Sequence, residues 1–241
     1  MKITFDSQNW QPVVRPDKFP NNPDRTHYMK IGQAIRAKKI QPFVVDVTVS
    51  LEGIPRADRY RYFGGSLPHP GIAPVLKDRL ADAAAMGFKV LRAPRIGLDI
   101  PAEVSALYPI ETDEERALRQ KQTSEFIRAV EGRGFGKDLI EQIGNDIGDR
   151  LSLRGAWHQF LRMSSIQAEQ GLIADAIGEW ADEDAVAAHI GYGNNIFCSN
   201  DFGKTASKKL GDSILSPANR SWLNNNLGVQ FIKLDELAGW F

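Results

Sequence analysis

The chain has 241 residues, of which 42% are hydrophobic and 25% are charged, the balance of a globular protein with a sizeable core. Its 30 basic and 30 acidic residues cancel. This balance argues against a protein that coats nucleic acid, which would be strongly basic, but allows an enzyme with a local basic rim.

The single cysteine, Cys198, excludes an internal disulfide and a cysteine-based zinc site, and fits a reducing cytoplasm. The opening residues, MKITFDSQNW, do not resemble a signal peptide, and no apolar run approaches the roughly 20 residues of a membrane span. We therefore expect a cytoplasmic protein with no membrane partner.

The first half of the chain alternates short apolar runs with segments of helical periodicity. The predicted elements are a strand at residues 2–5, a polar and proline-rich connection at 9–23, a helix from Asp24 to 39, a strand at 43–45, a helix from Asp46 to 54, a loop or hairpin at 55–74, a helix at 75–86 and a strand at 89–92. Asp24 and Asp46 are assigned as N-caps. The β-branched residues after Asp46 also suit a strand, so that alternative stays open.

The second half is mainly helical before it returns to strands. The predicted elements are two or three helices between residues 113 and 149, helices at 155–163, 165–180 and 182–192, a strand at 196–199, a helix at 217–225, a strand at 229–232 and a last turn at 235–240. This order predicts an α/β fold, a three-layer α/β/α sandwich with a central, mainly parallel sheet. Ligands of such folds bind beyond the carboxyl ends of the strands. Because Asp6 and Asp201 each come just after a predicted strand, we expect them at the same edge.

Two N-terminal segments resemble those of PIN domains. In KITFDSQNW, Asp6 and Ser7 match the metal-binding Asp, and the Thr or Ser after it, that follow the first strand of that family. In FVVDVTVSLEG, Glu52 matches a metal-binding Glu two turns into a helix, and Asp46 matches the residue that caps this helix.

The C-terminal segment DEDAVAAHIGYGNNIFCSND resembles a further PIN signature, in which an Asp opens a helix, a glycine-rich turn follows, and an apolar strand ends in Thr/Ser-Asn-Asp. Asp184, Ser199, Asn200 and Asp201 match these positions. Asp182 competes with Asp184 for the ligand position, with the alternative role of helix N-cap. The tail also resembles the family's last strand and acidic turn, with GVQFIKL followed by DELAGWF.

The resemblance implies a metal-dependent endoribonuclease that hydrolyses phosphodiester bonds through an activated water. The implied ligands of Mg²⁺ or Mn²⁺ are Asp6, Glu52, Asp184 and Asp201, and the implied supporting residues are Ser7, Asp182, Ser199 and Asn200. Mg²⁺ prefers oxygen ligands, and a bound metal lowers the pKa of a coordinated water.

A basic and aromatic segment, RADRYRYFGG, follows Glu52 directly. Arg56, Arg59 and Arg61 are candidates for contacts with RNA phosphates, and aromatic rings beside them are typical of binding to unpaired bases. Lys204 is a further candidate. A structural hairpin for the arginines and a solvated loop for Lys204 remain alternatives.

The resemblance implies one PIN-like domain over residues 1–241, built from 1–55 and 164–241 with a helical insertion at about 56–163. Many small bacterial PIN proteins are toxins, so an antitoxin partner and a homodimer are further implications, with single-stranded RNA as the substrate. Two other functions stay open: a structure-specific DNA nuclease, and a catalytically inactive PIN-like binding module.

Overall fold

The computed structural model describes residues 1–63, 71–94, 102–203 and 213–241. The strands of its central sheet are β1 Lys2–Phe5, β2 Gln41–Val45, β3 Lys89–Leu91, β4 Ile196–Cys198 and β5 Gln230–Ile232. Their spatial order is β3-β2-β1-β4-β5, and every neighbouring pair is parallel. The predicted α/β class with a central parallel sheet is therefore confirmed.

Helices cover both faces of this sheet, as the predicted three-layer sandwich requires. In the described parts of the chain they are α1 Ser7–Val14, α2 Arg25–Arg36, α3 Asp46–Glu52, α4 Arg59–Phe63, α5 Pro74–Met86, α6 Ala102–Ser105, α7 Asp113–Val130, α8 Lys137–Arg150, α9 Trp157–Phe160, α10 Gln167–Gly191, α11 Pro217–Leu227 and α12 Leu234–Ala238. Short 3-10 turns lie at Pro16–Lys18, Arg56–Asp58 and Leu161–Met163. Among the helices described, none combines the length and apolarity that a membrane crossing needs.

Each face of the sheet has its own apolar core, because successive side chains of a strand point to opposite faces. On one face, Ile3 and Phe5 of β1 join buried residues of α1, α2, α5 and α12. On the other face, Phe43 and Phe197 join buried residues of α3, α7, α8 and α10. Thr4 of β1 faces α10, where it contacts His189. This layering places α10 opposite the strand that leads to Asp6.

Two segments that were predicted to be irregular are helical. In the predicted connection at 9–23, α1 forms because Trp10, Val13 and Val14 bury one face of a helix, and this burial outweighs the unfavourable Pro12. The predicted loop or hairpin at 55–74 begins instead with the turn at Arg56–Asp58 and with α4, both of which pack on α10.

The largest correction concerns α10. The prediction placed a helix start at Asp182, whereas one helix runs from Gln167 to Gly191 without a break. Small buried residues such as Ala181 and Ala185 continue the apolar face through this point, and alanine is the most favourable helix residue. Asp182 therefore lies inside a helix and has no capping role.

The predicted insertion at about 56–163 includes part of the sheet. β3 lies in this range and pairs with β2, and α5 contributes to the core beside it. The helical part of the predicted insertion therefore lies between β3 and α10.

The buried His189 makes the stability of the core depend on pH, and this dependence can be tested. Its Nδ1 lies 2.9 Å from Thr4 Oγ1, and burial lowers the pKa of the imidazole to about 3. In the unfolded chain the imidazole takes up a proton near pH ~6.5. Its contribution to stability is therefore complete above that pH and is lost as the pH falls towards the folded-state pKa.

We expect the advantage of wild type over His189→Asn, measured as unfolding free energy, to shrink by about 1.4 kcal/mol for each pH unit below that value. Urea unfolding of both proteins across this pH range measures the difference. A difference that stays constant with pH would contradict the expectation.

Candidate acidic site at the carboxyl edge of the sheet

The parallel pairing of β1 with β4 brings Asp6 and the turn after β4 together. Phe5 lies opposite Cys198 in this pair, and the Asp6 amide donates to the Cys198 carbonyl oxygen at 3.0 Å. The next residues, Asp6 and Ser199, therefore lie side by side at the carboxyl edge. This is the edge at which open parallel sheets bind ligands.

Asp6 is buried and forms the N-cap of α1. Its Oδ1 accepts a hydrogen bond from the Ser7 amide at 2.6 Å, and its Oδ2 accepts one from the Ser199 hydroxyl at 2.7 Å. Burial raises the pKa of Asp6 and the Asp201 charge raises it further, whereas the hydrogen bonds from Ser199 and Ser7 lower it. A carboxylate offers about four acceptor positions, so these two hydrogen bonds leave each oxygen of Asp6 with a further acceptor position.

The turn after β4 positions Asp201. The Ser199 hydroxyl accepts from the Asp201 amide at 3.1 Å. The Asp201 carboxylate accepts from the Gly203 amide at 2.7 Å and from the Gln8 side-chain amide at 3.4 Å. Gly203 has a φ of +65°, a conformation that glycine adopts without steric cost. Ser199 therefore links the Asp6 carboxylate to the backbone of Asp201.

Each of the other two predicted supporting residues near these strand ends takes part in a hydrogen bond that involves a backbone amide. Ser7 donates its amide to Asp6. Asn200 accepts from the Leu234 amide at 2.9 Å and so ties the turn after β4 to the start of α12.

Glu52 is the last residue of α3, and its carboxylate accepts from the Trp10 indole at 3.2 Å and from the Gln11 side chain. Burial raises the pKa of Glu52 to about 8; the Trp10 hydrogen bond and the Arg79 charge lower it, and the Asp6 charge raises it. The structure therefore couples Glu52 electrostatically to Asp6, although the two lie on different elements.

Asp182 faces the same group of acids. Burial raises the pKa of Asp182 well above its ordinary value, and the charges of Asp6, Glu179 and Asp201 raise it further, while Arg59 lowers it. We call Asp182 together with Asp6, Glu52 and Asp201 the acidic site.

Asp184 lies elsewhere. Side chains two residues apart on an α-helix point about 200° apart, so Asp184 does not share the face that Asp182 turns towards Asp6. Asp184 is fully buried. The resemblance matched Asp184 to the ligand position and left Asp182 as its competitor. The unbroken course of α10 places Asp182, and not Asp184, on the face that turns towards Asp6.

Among the predicted RNA-binding residues that the structure describes, Arg59 is the one that interacts with the acidic site. Burial lowers the pKa of its guanidinium and the neighbouring Arg56 lowers it further, whereas the charges of Asp182 and Asp175 raise it. Within the described residues its Nε is buried and has no hydrogen-bond partner. Arg59 therefore retains a donor beside the acids.

The other predicted RNA-binding residues have different surroundings. Arg56 donates from Nε to Asp175 of α10 at 2.7 Å, so it braces the turn against that helix. Arg61 donates to the Tyr60 hydroxyl at 3.0 Å and stacks over the Tyr60 ring. Lys204 lies outside the described residues.

Asp46 does not cap α3 as predicted. Val45 occupies the N-cap position, and Asp46 is the first residue of the helix. The Asp46 carboxylate accepts instead from the Ala93 amide and the Tyr108 hydroxyl.

The sequence reasoning missed residues that hold the acids in place. Trp10 and Gln11 bond to Glu52, Arg79 donates to Gln11, and Arg220 binds the turn that carries Asp201. Each of these contacts joins residues that are distant in sequence, and no local pattern marks them.

The donor chemistry of the acidic site fits Mg²⁺ or Mn²⁺, because all its candidate ligands are carboxylate oxygens. Across the described ranges, no three His, Cys, Asp or Glu side chains are arranged to hold one ion jointly.

Comparison with known proteins adds no relative. No protein-family model matches the chain, and neither a curated protein nor a solved structure matches it. Inferences about function therefore depend on the acidic site and on the resemblance of the segments that form it.

Glu52 provides a test of the cost of burying a carboxylate beside Asp6 in the metal-free protein. Because its folded-state pKa is raised to about 8, its contribution to stability is complete below the unfolded-state value of about 4.3 and is lost as the pH rises through the folded-state pKa. We expect Glu52→Gln to unfold at a higher temperature than wild type near pH ~9 in EDTA, and this gain to vanish at acidic pH. Calorimetry of both proteins across this pH range measures the effect, and a variant less stable than wild type at alkaline pH would refute it.

Proposed function

We propose that this protein is a metal-dependent endoribonuclease that hydrolyses phosphodiester bonds in RNA. The observation that carries the proposal is the grouping of Asp6, Glu52, Asp182 and Asp201 at the carboxyl edge of a parallel sheet. There the Asp201 charge raises the pKa of Asp6, the Asp6 charge raises that of Glu52, and both Asp6 and Asp201 raise that of Asp182. A divalent cation would relieve this repulsion, and phosphodiester hydrolysis is a reaction that such cations support.

The residues of the acidic site have separable roles in this proposal. Asp6 and Asp201 are the best prepared ligands, since Ser199 holds both. Asp182 and Glu52 would add negative charge that favours a bound cation. A bound Mg²⁺ or Mn²⁺ would supply an activated water and would neutralise the scissile phosphate. Glu52 holds a proton at neutral pH in the metal-free protein, and a nearby cation favours its ionised form.

Arg59 is the proposed contact for a substrate phosphate. The residue is partly exposed, and its Nε is buried without a hydrogen-bond partner in the described part of the chain. A phosphate would therefore be bound through the two terminal nitrogens of the guanidinium. Its charge interacts with Asp182, so a phosphate bound by Arg59 lies beside the acidic site. Arginine suits this role because its planar fork matches phosphate oxygens.

Single-stranded RNA as the substrate, cytoplasmic action as a toxin, an antitoxin partner and a homodimer are extensions of this proposal. They are supported by the resemblance of the site segments to PIN domains. The balanced net charge of the chain agrees with local recognition at the site rather than with a general nucleic-acid coat.

The direct test is cleavage of a labelled single-stranded RNA by wild type and by Asp201→Asn. We expect cleavage by wild type with Mn²⁺ or Mg²⁺ and none in EDTA. The variant keeps an oxygen for the Gly203 amide but loses the charge, so its rate should fall by more than the about 10–100-fold that an outer-shell substitution costs.

A matched DNA oligomer extends the same assay. Faster metal-dependent cleavage of DNA would favour the DNA nuclease, and metal binding without cleavage of either oligomer would favour the inactive binding module. Equal, EDTA-resistant cleavage by both proteins would indicate a contaminating nuclease and would remove support for the assignment.

Asp182→Asn and Asp184→Asn form a matched pair on α10. We expect Asp182→Asn to lower kcat and to raise the Mn²⁺ concentration needed for half-maximal rate, because it removes a charge that faces Asp6 and Asp201. Asp184→Asn should keep the wild-type rate per folded molecule, with the folded fraction determined by circular dichroism. The reverse pattern, in folded proteins, would reinstate Asp184 as the ligand.

A further inference from the structure

Arg220 is a buried arginine on α11 whose side chain binds carbonyl oxygens on two separate stretches of chain. Its Nε donates to the Leu215 carbonyl at 2.9 Å. Its NH1 and NH2 donate to the Ser199 carbonyl at 3.5 and 3.4 Å, and NH2 also donates to the Asp201 carbonyl. Only 8% of the residue is exposed to solvent. The guanidinium therefore bridges the turn after β4 and the segment that leads into α11.

Aromatic rings restrict the position of this guanidinium. It lies 4.5 Å from the ring centroid of Phe202 and 4.9 Å from that of Phe231 on β5. Contacts of this kind favour a desolvated cation and restrict rotation of the planar guanidinium. Lysine could not replace this arrangement, because a single ammonium on a flexible stem cannot reach both carbonyl groups with fixed geometry.

The charge of Arg220 is balanced by the acidic site at longer range. Burial lowers the pKa of Arg220, whereas the charges of Asp6, Asp201 and Asp182 raise it. Burial of an unbalanced charge is unfavourable, so the nearby acids help to keep Arg220 charged at this position. Arg220 and the acids thus stabilise one another in the metal-free protein.

We propose that Arg220 is a positioning residue of the acidic site: it clamps the backbone of the turn at 199–201 and so sets where the Asp201 carboxylate stands relative to Asp6. The effect of this clamp on catalysis rests on the proposed function, whereas the clamp itself does not. The clamp is testable without metal, because the Asp201 and Gly203 amides are hydrogen-bonded within the turn.

The test is Arg220→Lys, with Arg133→Lys as the matched control. Arg133 stacks on Trp222 of the same helix at 3.8 Å and has no assigned role in the site. Both substitutions keep the positive charge. A difference between the two variants therefore reports the loss of the planar guanidinium and not a change of charge near the site. Phe202→Leu is the second variant, since it removes one ring from the guanidinium and leaves the arginine in place.

The first measurement is hydrogen exchange of the Asp201 and Gly203 amides in EDTA. We expect faster exchange in Arg220→Lys, and a smaller effect in the same direction in Phe202→Leu. Arg133→Lys should exchange like wild type. If Arg220→Lys does not fold, Phe202→Leu decides the outcome. Unchanged exchange at both amides in a folded variant would overturn the clamp.

The second measurement is the equilibrium affinity for Mn²⁺, together with kcat at saturating Mn²⁺. We expect Arg220→Lys to bind Mn²⁺ about 10–100-fold more weakly than wild type. Faster exchange with wild-type affinity and kcat would reduce Arg220 to a purely structural residue and overturn the positioning role. Faster exchange in a protein whose wild type binds no Mn²⁺ would overturn the proposed function and leave the clamp supported.

Discussion

The acidic site depends on the parallel pairing of β1 with β4. That pairing places Asp6 beside Ser199. The Ser199 hydroxyl donates to the Asp6 carboxylate and accepts from the Asp201 amide. The register of the two strands therefore determines how Asp6 and Asp201 are spaced. A slip of one residue would turn Asp6 to the opposite face, because side chains alternate along a strand. It would also remove Ile3 and Phe5 from their apolar core. One register therefore determines both the stability of the sheet and the geometry of the site.

The fold balances the negative charge of this site only in part. Burial and neighbouring acids raise the pKa of Asp182, and Glu52 relieves part of the repulsion by holding a proton at neutral pH. The positive charge of Arg59 lowers the pKa of Asp182, and the positive charge of Arg220 lies close enough to interact with Asp6, Asp201 and Asp182. The remaining repulsion costs stability in the metal-free protein, and it is the same repulsion that would draw a divalent cation into the site.

The sequence was sufficient for those parts of the fold and the site that depend on local pattern. The strands, and with them the positions of Asp6 and Asp201, follow from apolar runs that end in acids, since parallel strands end at one edge. The choice between Asp182 and Asp184 could not be made locally, because an aspartate can cap a helix or lie within one. It depends on which face of α10 turns towards Asp6, and that follows from tertiary packing. Arg220 shows the other limit. Its partners are fixed by tertiary packing of α11 on the turn after β4, and nothing in its neighbours distinguishes it from a solvated arginine.

Burial alone does not assign an acid to the site, as Asp46 demonstrates. Asp46 follows β2 at the edge where Asp6 follows β1, and burial raises the pKa of both. The Asp46 oxygens accept from the Ala93 amide at 2.9 Å and the Tyr108 hydroxyl at 2.6 Å, and the charged neighbour that acts on Asp46 is Arg92. Asp46 thus joins the end of β3 to the chain beyond it and meets a positive charge, whereas Asp6 meets further carboxylates. The surrounding charges separate the two roles. Asp46 is held by scaffold donors and lies near Arg92, whereas Asp6 lies among carboxylates whose charge Arg59 and Arg220 offset only in part, so a ligand could still neutralise charge there.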